Sequence, residues 1–144
     1  MSTRTVKDVL EGQPLNHVDS KNTITEVATL MKKQRIGAVM VLDNKRLVGI
    51  FTERDALFRV AAEGIDPSST KIEDVMTIDP ITIAADKPFS DALDKMHVGQ
   101  FRHVPVLDGD LPIGMVSSRD AMGPELEQFM YTKILEEETN DALA

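Results

Sequence analysis

Apolar residues at Ile24, Val27, Ala28 and Met31 recur at spacings of three and four, which gathers them on one face of a helix. Phe89, Ala92, Leu93 and Met96 repeat that spacing, in the same phase, 65 residues later. Each stretch predicts an amphipathic helix. Short runs rich in Val and Ile follow both. AVMVLD (38–43) matches HVPVLD (103–108), and LVGIFT (47–52) matches PIGMVS (112–117). These runs predict strands. Asp43-Asn44-Lys45 and Asp108-Gly109-Asp110 separate them as hairpin turns, with Asp-Gly the strongest form of the signal. A further helix is predicted from Thr52 in one half and from Ser117 in the other. Upstream, VKDVL (6–10) echoes IEDVM (72–76), with the offset drifting to 66.

The chain is therefore an internal repeat. Each half reads as a short entry helix, strand, helix, strand, hairpin, strand and helix. The stretch from Gly64 to Thr70, with Pro67 and two serines, reads as the linker. A half of this size is marginal alone, because too little of its surface is buried on folding. Two copies packed sheet to sheet about an approximate twofold would bury both faces of each sheet, and that needs no ligand. The expected fold is α/β (α+β): two β-α-β-β-α repeats, residues 1–66 and 67–123, with a helical extension over 124–144. In the extension Pro124 suits a first helical turn, with Glu125 and Glu127 near the positive helix end. Leu126, Phe129, Met130, Lys133 and Ile134 fall near one side. That side either packs back on its own core or faces the partner in a homodimer.

Composition narrows the function. The chain has 144 residues, 42% hydrophobic and 28% charged, with net charge −8. This balance suits a folded, soluble protein. No cysteine is present, which excludes disulfides and thiolate metal sites. No apolar run suits a signal peptide or a membrane span, so the expected location is the cytoplasm, without membrane association. No block of Lys or Arg suggests nucleic acid as a partner, and the net charge opposes it. A small anionic ligand would need local positive groups. His17 and His97 lack metal-ligand spacing, so no metal site is expected. The methionines fall at core phases and read as packing. No nucleophile elbow, Walker loop or dinucleotide fingerprint is present, so the chain is not expected to be an enzyme.

The repeated turns GIFTERDAL (49–57) and GMVSSRDAM (114–122) hold the candidate chemistry. Thr52 and Asp55 stand three apart where strand gives way to helix, as do Ser117 and Asp120. A hydroxyl at the N-cap with an acid three residues later resembles a capping box, although Glu or Gln is the usual partner. The same groups suit a ligand. A carboxylate accepts from both hydroxyls of a ribose, while helix N–H groups and a neighbouring Arg attract phosphate. Both roles can coexist, since a capped helix start keeps free N–H donors.

The order of elements, these turns, VMT-x-DP-IT (75–82) and FRHVPV (101–106) together resemble a tandem pair of CBS domains, over roughly residues 6–122. The resemblance implies a pseudo-dimer with two clefts between the repeats. It implies an adenosine ligand, with AMP, ADP, ATP, S-adenosylmethionine and NAD(H) as candidates. It also implies assembly into a homodimer and regulation of a partner protein. Carried onto this sequence, Asp55 and Asp120 would hold ribose, and Thr52 and Ser117 would face ribose or phosphate. The first cleft would join Thr52, Arg54 and Asp55 to Thr77, Ile81, Thr82, Arg102 and His103. The second would join Ser117, Arg119 and Asp120 to Ile36, Gly37 and Ala38. Gly37 and Ala38 stand where the other half has Arg102 and His103, so an anionic nucleotide is expected to prefer the Asp55 cleft. Two other readings remain open: a structural homodimerisation module with vacant clefts, and a small nucleotide-using enzyme.

Overall fold

A computed structural model describes the backbone of residues 4–143 and the side chains of residues 4–138. The first half runs α1 (Val6–Leu10), β1 (His17–Asp19), α2 (Ile24–Gln34), β2 (Ala38–Asp43), β3 (Arg46–Thr52) and α3 (Glu53–Asp55). A π-helical stretch, Ala56–Ala61, prolongs α3. The second half opens with a 3-10 turn, Ile72–Asp74, then β4 (Thr77–Ile78), β5 (Ile83–Ala84), α4 (Phe89–Gly99), β6 (His103–Asp108) and β7 (Leu111–Ser117). A second 3-10 turn, Ser118–Asp120, precedes α5 (Gly123–Leu143). The helix expected from Ser117 is thus a single turn. Pro124 has no N–H and its ring would clash with the carbonyl of Asp120 in a continuous helix. That carbonyl instead accepts from Arg4 Nη2 at 3.0 Å.

The fold is mixed α+β with two sheets, ordered β1-β2-β3-β4 and β5-β6-β7. β1 pairs parallel to β2 and β5 to β6, while β2–β3 and β6–β7 form the predicted hairpins and β4 adds antiparallel to β3. Even the hairpin irregularities repeat, at Val41/Leu42 and Val106/Leu107. Val39, Val41 and Phe51 are fully buried against α2 in one core, and Val104, Val106 and Val116 against α4 in the other. Strand side chains alternate, so Met40, Ile50 and Pro105 point to the opposite faces. They are buried too, yet stand apart from both helix-side cores, as expected of the layer between sheets that meet through β3 and β7.

The entry segments are exchanged between the halves. Val6 and Val9 of α1 belong to the core of the second half, while Ile72, Val75 and Met76 belong to that of the first. The backbone repeats the exchange. Val6 N donates to Lys87 O at 2.8 Å, and Ile72 N donates to Asn22 O at 2.7 Å. Phe89 N donates to Arg4 O at 2.9 Å, and Ile24 N to Thr70 O at 3.0 Å. The packing thus crosses the expected division at residues 66 and 67.

The exchange explains the glycine that opens both turns. A Cβ on Gly49 would lie 2.5 Å from Met76 Sδ and 2.7 Å from Thr77 O. A Cβ on Gly114 would lie 2.9 Å from Leu10 Cδ2. Each glycine is the seat on which the other half's entry segment rests.

α5 leaves this body. Its Phe129 packs on the second core, Glu125 is clamped by Arg4, and Lys133 pairs with Asp94 of α4. Leu126, Met130, Tyr131, Ile134 and Leu135 are exposed. The spacing of Glu125, Phe129 and Lys133 is four, so the side turned to α4 is amphipathic and the apolar stripe lies beside it. No helix among the described residues is long and apolar enough to cross a membrane.

Candidate functional site

Both repeated turns form where a hairpin strand ends against the start of the neighbouring one. Glu53 N donates to Gly37 O at 2.9 Å, and its counterpart Ser118 N donates to Arg102 O at 3.1 Å. These two bonds hold each turn over the first residues of β2 or β6.

At the first turn the capping box is complete. Asp55 N donates to Thr52 Oγ1 and Thr52 N to Asp55 Oδ2, both at 3.1 Å. Asp55 is only 8% exposed. Thr77 Oγ1 donates to its Oδ2 at 3.5 Å, and Arg59 Nε lies 3.5 Å from Oδ1. Arg59 also donates to Met76 O at 2.8 Å. The structure therefore brings Thr52, Asp55 and Thr77 together. It does so within the fold's own hydrogen bonding. Arg59, which the sequence reading passed over, follows Asp55 by four residues, a spacing that pairs side chains on a helix.

At the second turn Ser117 N donates to Asp120 Oδ2 at 2.7 Å. Gln13 Nε2 donates to Asp120 Oδ1 at 3.1 Å and to Val9 O at 3.0 Å. Asp120 is half-open to solvent and borders a cavity of about 580 Å³. Ile36, Gly37, Ala38, Ser117 and Arg119 border it as well. A second cavity, about 250 Å³, lies on the Asp55 side and is bordered by Thr52, Arg54, Arg102 and His103, with Arg54 stacked over the Phe58 ring at 5.3 Å. Asp55, Thr77, Ile81 and Thr82 border neither cavity. Ile81 is exposed on the strand approach and Thr82 is partly covered.

The cations are distributed differently from the sequence expectation. Arg102 and His103 border both cavities rather than the Asp55 cleft alone. Arg35 adds a third guanidinium to the larger cavity beside Arg102 and Arg119. It can do so because it caps α2 in the left-handed conformation, φ 55°, which turns the chain toward β2. Its counterpart Gln100 caps α4 in the same way, φ 58°, and borders the smaller cavity. The Asp120 cleft thus keeps its positive groups. Arg102 and His103 come from the strand start beside Ser117, and Arg35 from a helix cap of the opposite repeat, neither of which the aligned repeat positions reveal. Burial holds the His103 imidazole below its ordinary range, with Arg119 and Arg102 adding to the effect and Glu53 and Asp120 opposing it.

Two sheets related by a repeat, with paired hydroxyl-x-x-Asp turns beside cavities bordered by arginines, define a two-repeat module with clefts at its seam. The chain belongs to the CBS-domain family, whose model matches residues 6–62 and 72–123 as two domains in tandem. The CBS domain-containing protein YhcV of Bacillus subtilis is 32% identical over 115 residues, which cover 80% of this chain and 81% of that one. CBSCBSPB1 of Arabidopsis thaliana is 41% identical over 91 residues, 63% of this chain but 17% of that protein. The chain spans about a fifth of such longer relatives. Among solved structures, a CBS domain protein from Pyrobaculum aerophilum complexed with AMP superposes with a TM-score of 0.80 at 27% identity, covering 89% of this chain and 99% of that one.

Proposed function

We propose that this protein is a regulatory sensor that binds an adenosine nucleotide (AMP, ADP, ATP or NAD) between its CBS repeats and performs no chemistry of its own. The observation that carries this reading is the larger cavity, where a carboxylate suited to a ribose, Asp120, stands with Arg35, Arg102 and Arg119. Its volume of about 580 Å³ falls in the range of small-ligand sites. The Pyrobaculum aerophilum relative complexed with AMP supports the same ligand class. The ligand's seat is the Asp120 cavity, with Ser117 and Arg119 at the 3-10 turn and Ile36, Gly37 and Ala38 opposite. The Asp55 side, with Thr52, Arg54, Thr77, Ile81 and Thr82, is the lesser position. Gln13 holds Asp120 until a ribose replaces it. The protein acts in the cytoplasm as a homodimer, and the exposed apolar stripe of α5 supports that assembly.

Calorimetric titration of the purified protein with AMP, ADP, ATP and NAD tests this, together with mass spectrometry of small molecules released on denaturation. Saturable binding, or an adenine nucleotide recovered unchanged, is the expected result. No binding by any of them up to about 1 mM, a standard free energy of about −4 kcal/mol, overturns the sensor reading in favour of a structural module. Conversion of the nucleotide on long incubation would make the protein an enzyme.

A further inference from the structure

Glu53 occupies an unusual place. Its backbone is tied to Gly37, and its carboxylate lies across that glycine, with Oε1 3.2 Å from where a Gly37 Cβ would stand. Any larger residue at position 37 would crowd it. Glu53 borders both cavities, as do Gly37, Arg102 and His103. It is exposed, and among the described residues it has no ion-pair partner. At the matching place in the second half, Ser118 lies over Arg102. The repeat has thus put an acid over a glycine on one side and a hydroxyl over an arginine on the other. The acid faces the space that the arginines make attractive to phosphate.

We propose that Glu53 is the charge-selectivity residue of the nucleotide cavity: its carboxylate, set at the wall shared by the two cavities, repels phosphate and limits how many phosphates the site accepts. This rests on the nucleotide-binding reading above. The arginines favour an anion, and Glu53 opposes them by an amount that grows with the ligand's charge. The first phosphate brings close to two negative charges at neutral pH, and each further one about one more. The repulsion acts through partly solvated space and is worth about threefold in affinity per added charge.

The test is titration of adenosine, AMP, ADP and ATP into the intact protein and into Glu53→Gln and Glu53→Lys, at one ionic strength. Glu53→Gln removes the charge with little change of shape. Adenosine affinity is expected to stay the same, and the gains for AMP, ADP and ATP to rise in that order by about threefold per step. Glu53→Lys is expected to give about the same rise again on a logarithmic scale. An equal gain for adenosine and ATP overturns the proposal and makes Glu53 a steric neighbour. A loss of ATP affinity overturns it and makes Glu53 a ligand contact. If none of the four ligands binds any of the three proteins, the nucleotide reading falls and this inference with it. If they bind and the gain is flat, only this inference falls.

Discussion

Asp55 and Asp120 have the same place in the repeat and different surroundings. Asp55 is buried and shared among Thr52, Thr77 and Arg59. Asp120 borders the larger cavity and accepts from Gln13. Asp55→Ala should therefore act on stability, costing about 1–2 kcal/mol for the lost cap in urea denaturation. Asp120→Ala should act on binding. The intact protein should favour AMP over 2′-deoxy-AMP, and Asp120→Ala should lose most of that preference, while Asp55→Ala keeps it. Preference lost only in Asp55→Ala would move the ribose to the other cleft. A charged hydrogen bond of about 1.5–3 kcal/mol makes the effect about tenfold or more.

His103 gives a pH dependence at the same scale. Its folded pKa is depressed by burial, while the unfolded chain titrates near 6.5. Between those values the unfolded state binds more protons, so stability rises with pH and is lost as pH falls through about 6.5 toward the folded value. The depressed carboxyl groups Asp8, Glu26 and Glu125 act in a lower window, beginning near their ordinary pKa of about 4. Thermal melts of the intact protein and His103→Gln between pH 5 and 7.5 should separate the two. The slope near pH 6 should be smaller in the variant, and an unchanged slope would assign it to other groups.

At the scale of elements, the exchanged entry segments set what the glycines can tolerate. At Gly49 a new Cβ meets the Thr77 backbone and Met76 Sδ, whereas at Gly114 it meets only the end of the Leu10 side chain. Gly49→Ala should cost about 3 kcal/mol and Gly114→Ala about 1, the two ends of the overpacking range. Equal losses in urea denaturation would mean that the β3–β4 approach relaxes as easily as a leucine rotamer. α5 makes a separate prediction. It is held by Arg4–Glu125, Lys133–Asp94 and Phe129, and leaves an apolar stripe exposed. Deleting residues 125–144 should lower dimer affinity or melting temperature in light scattering and thermal melts. An equally stable dimer without α5 would place the interface elsewhere.

Across the whole molecule, neither half owns its complete core. Residues 1–66 would lack Ile72, Val75 and Met76, and residues 67–144 would lack Val6 and Val9. Each fragment alone should show no cooperative melt by circular dichroism, and mixing the two should restore one. A half that melts cooperatively by itself would show that the exchanged segments add to a core already sufficient. The intact chain should unfold in a single transition, since loss of either sheet strips a segment from the other half.

Hydrophobic spacing along the chain determined α2, α4, the hairpins and their repetition, because these depend on neighbours within a few residues. It also marked Thr52, Asp55, Ser117 and Asp120, since a cap is a local device written in adjacent residues. The exchange of entry segments was not legible: VKDVL and IEDVM have the same apolar pattern whichever sheet they cover. Nor was the larger cavity's charge. Arg35 reaches it from a left-handed helix cap of the opposite repeat, Arg102 and His103 reach it from the strand start beside Ser117, and Glu53 settles over a glycine. Those placements depend on how two sheets meet. A one-dimensional repeat ranks positions by their counterparts, while a cleft gathers side chains by distance, and only the tertiary packing decides which of them share a wall.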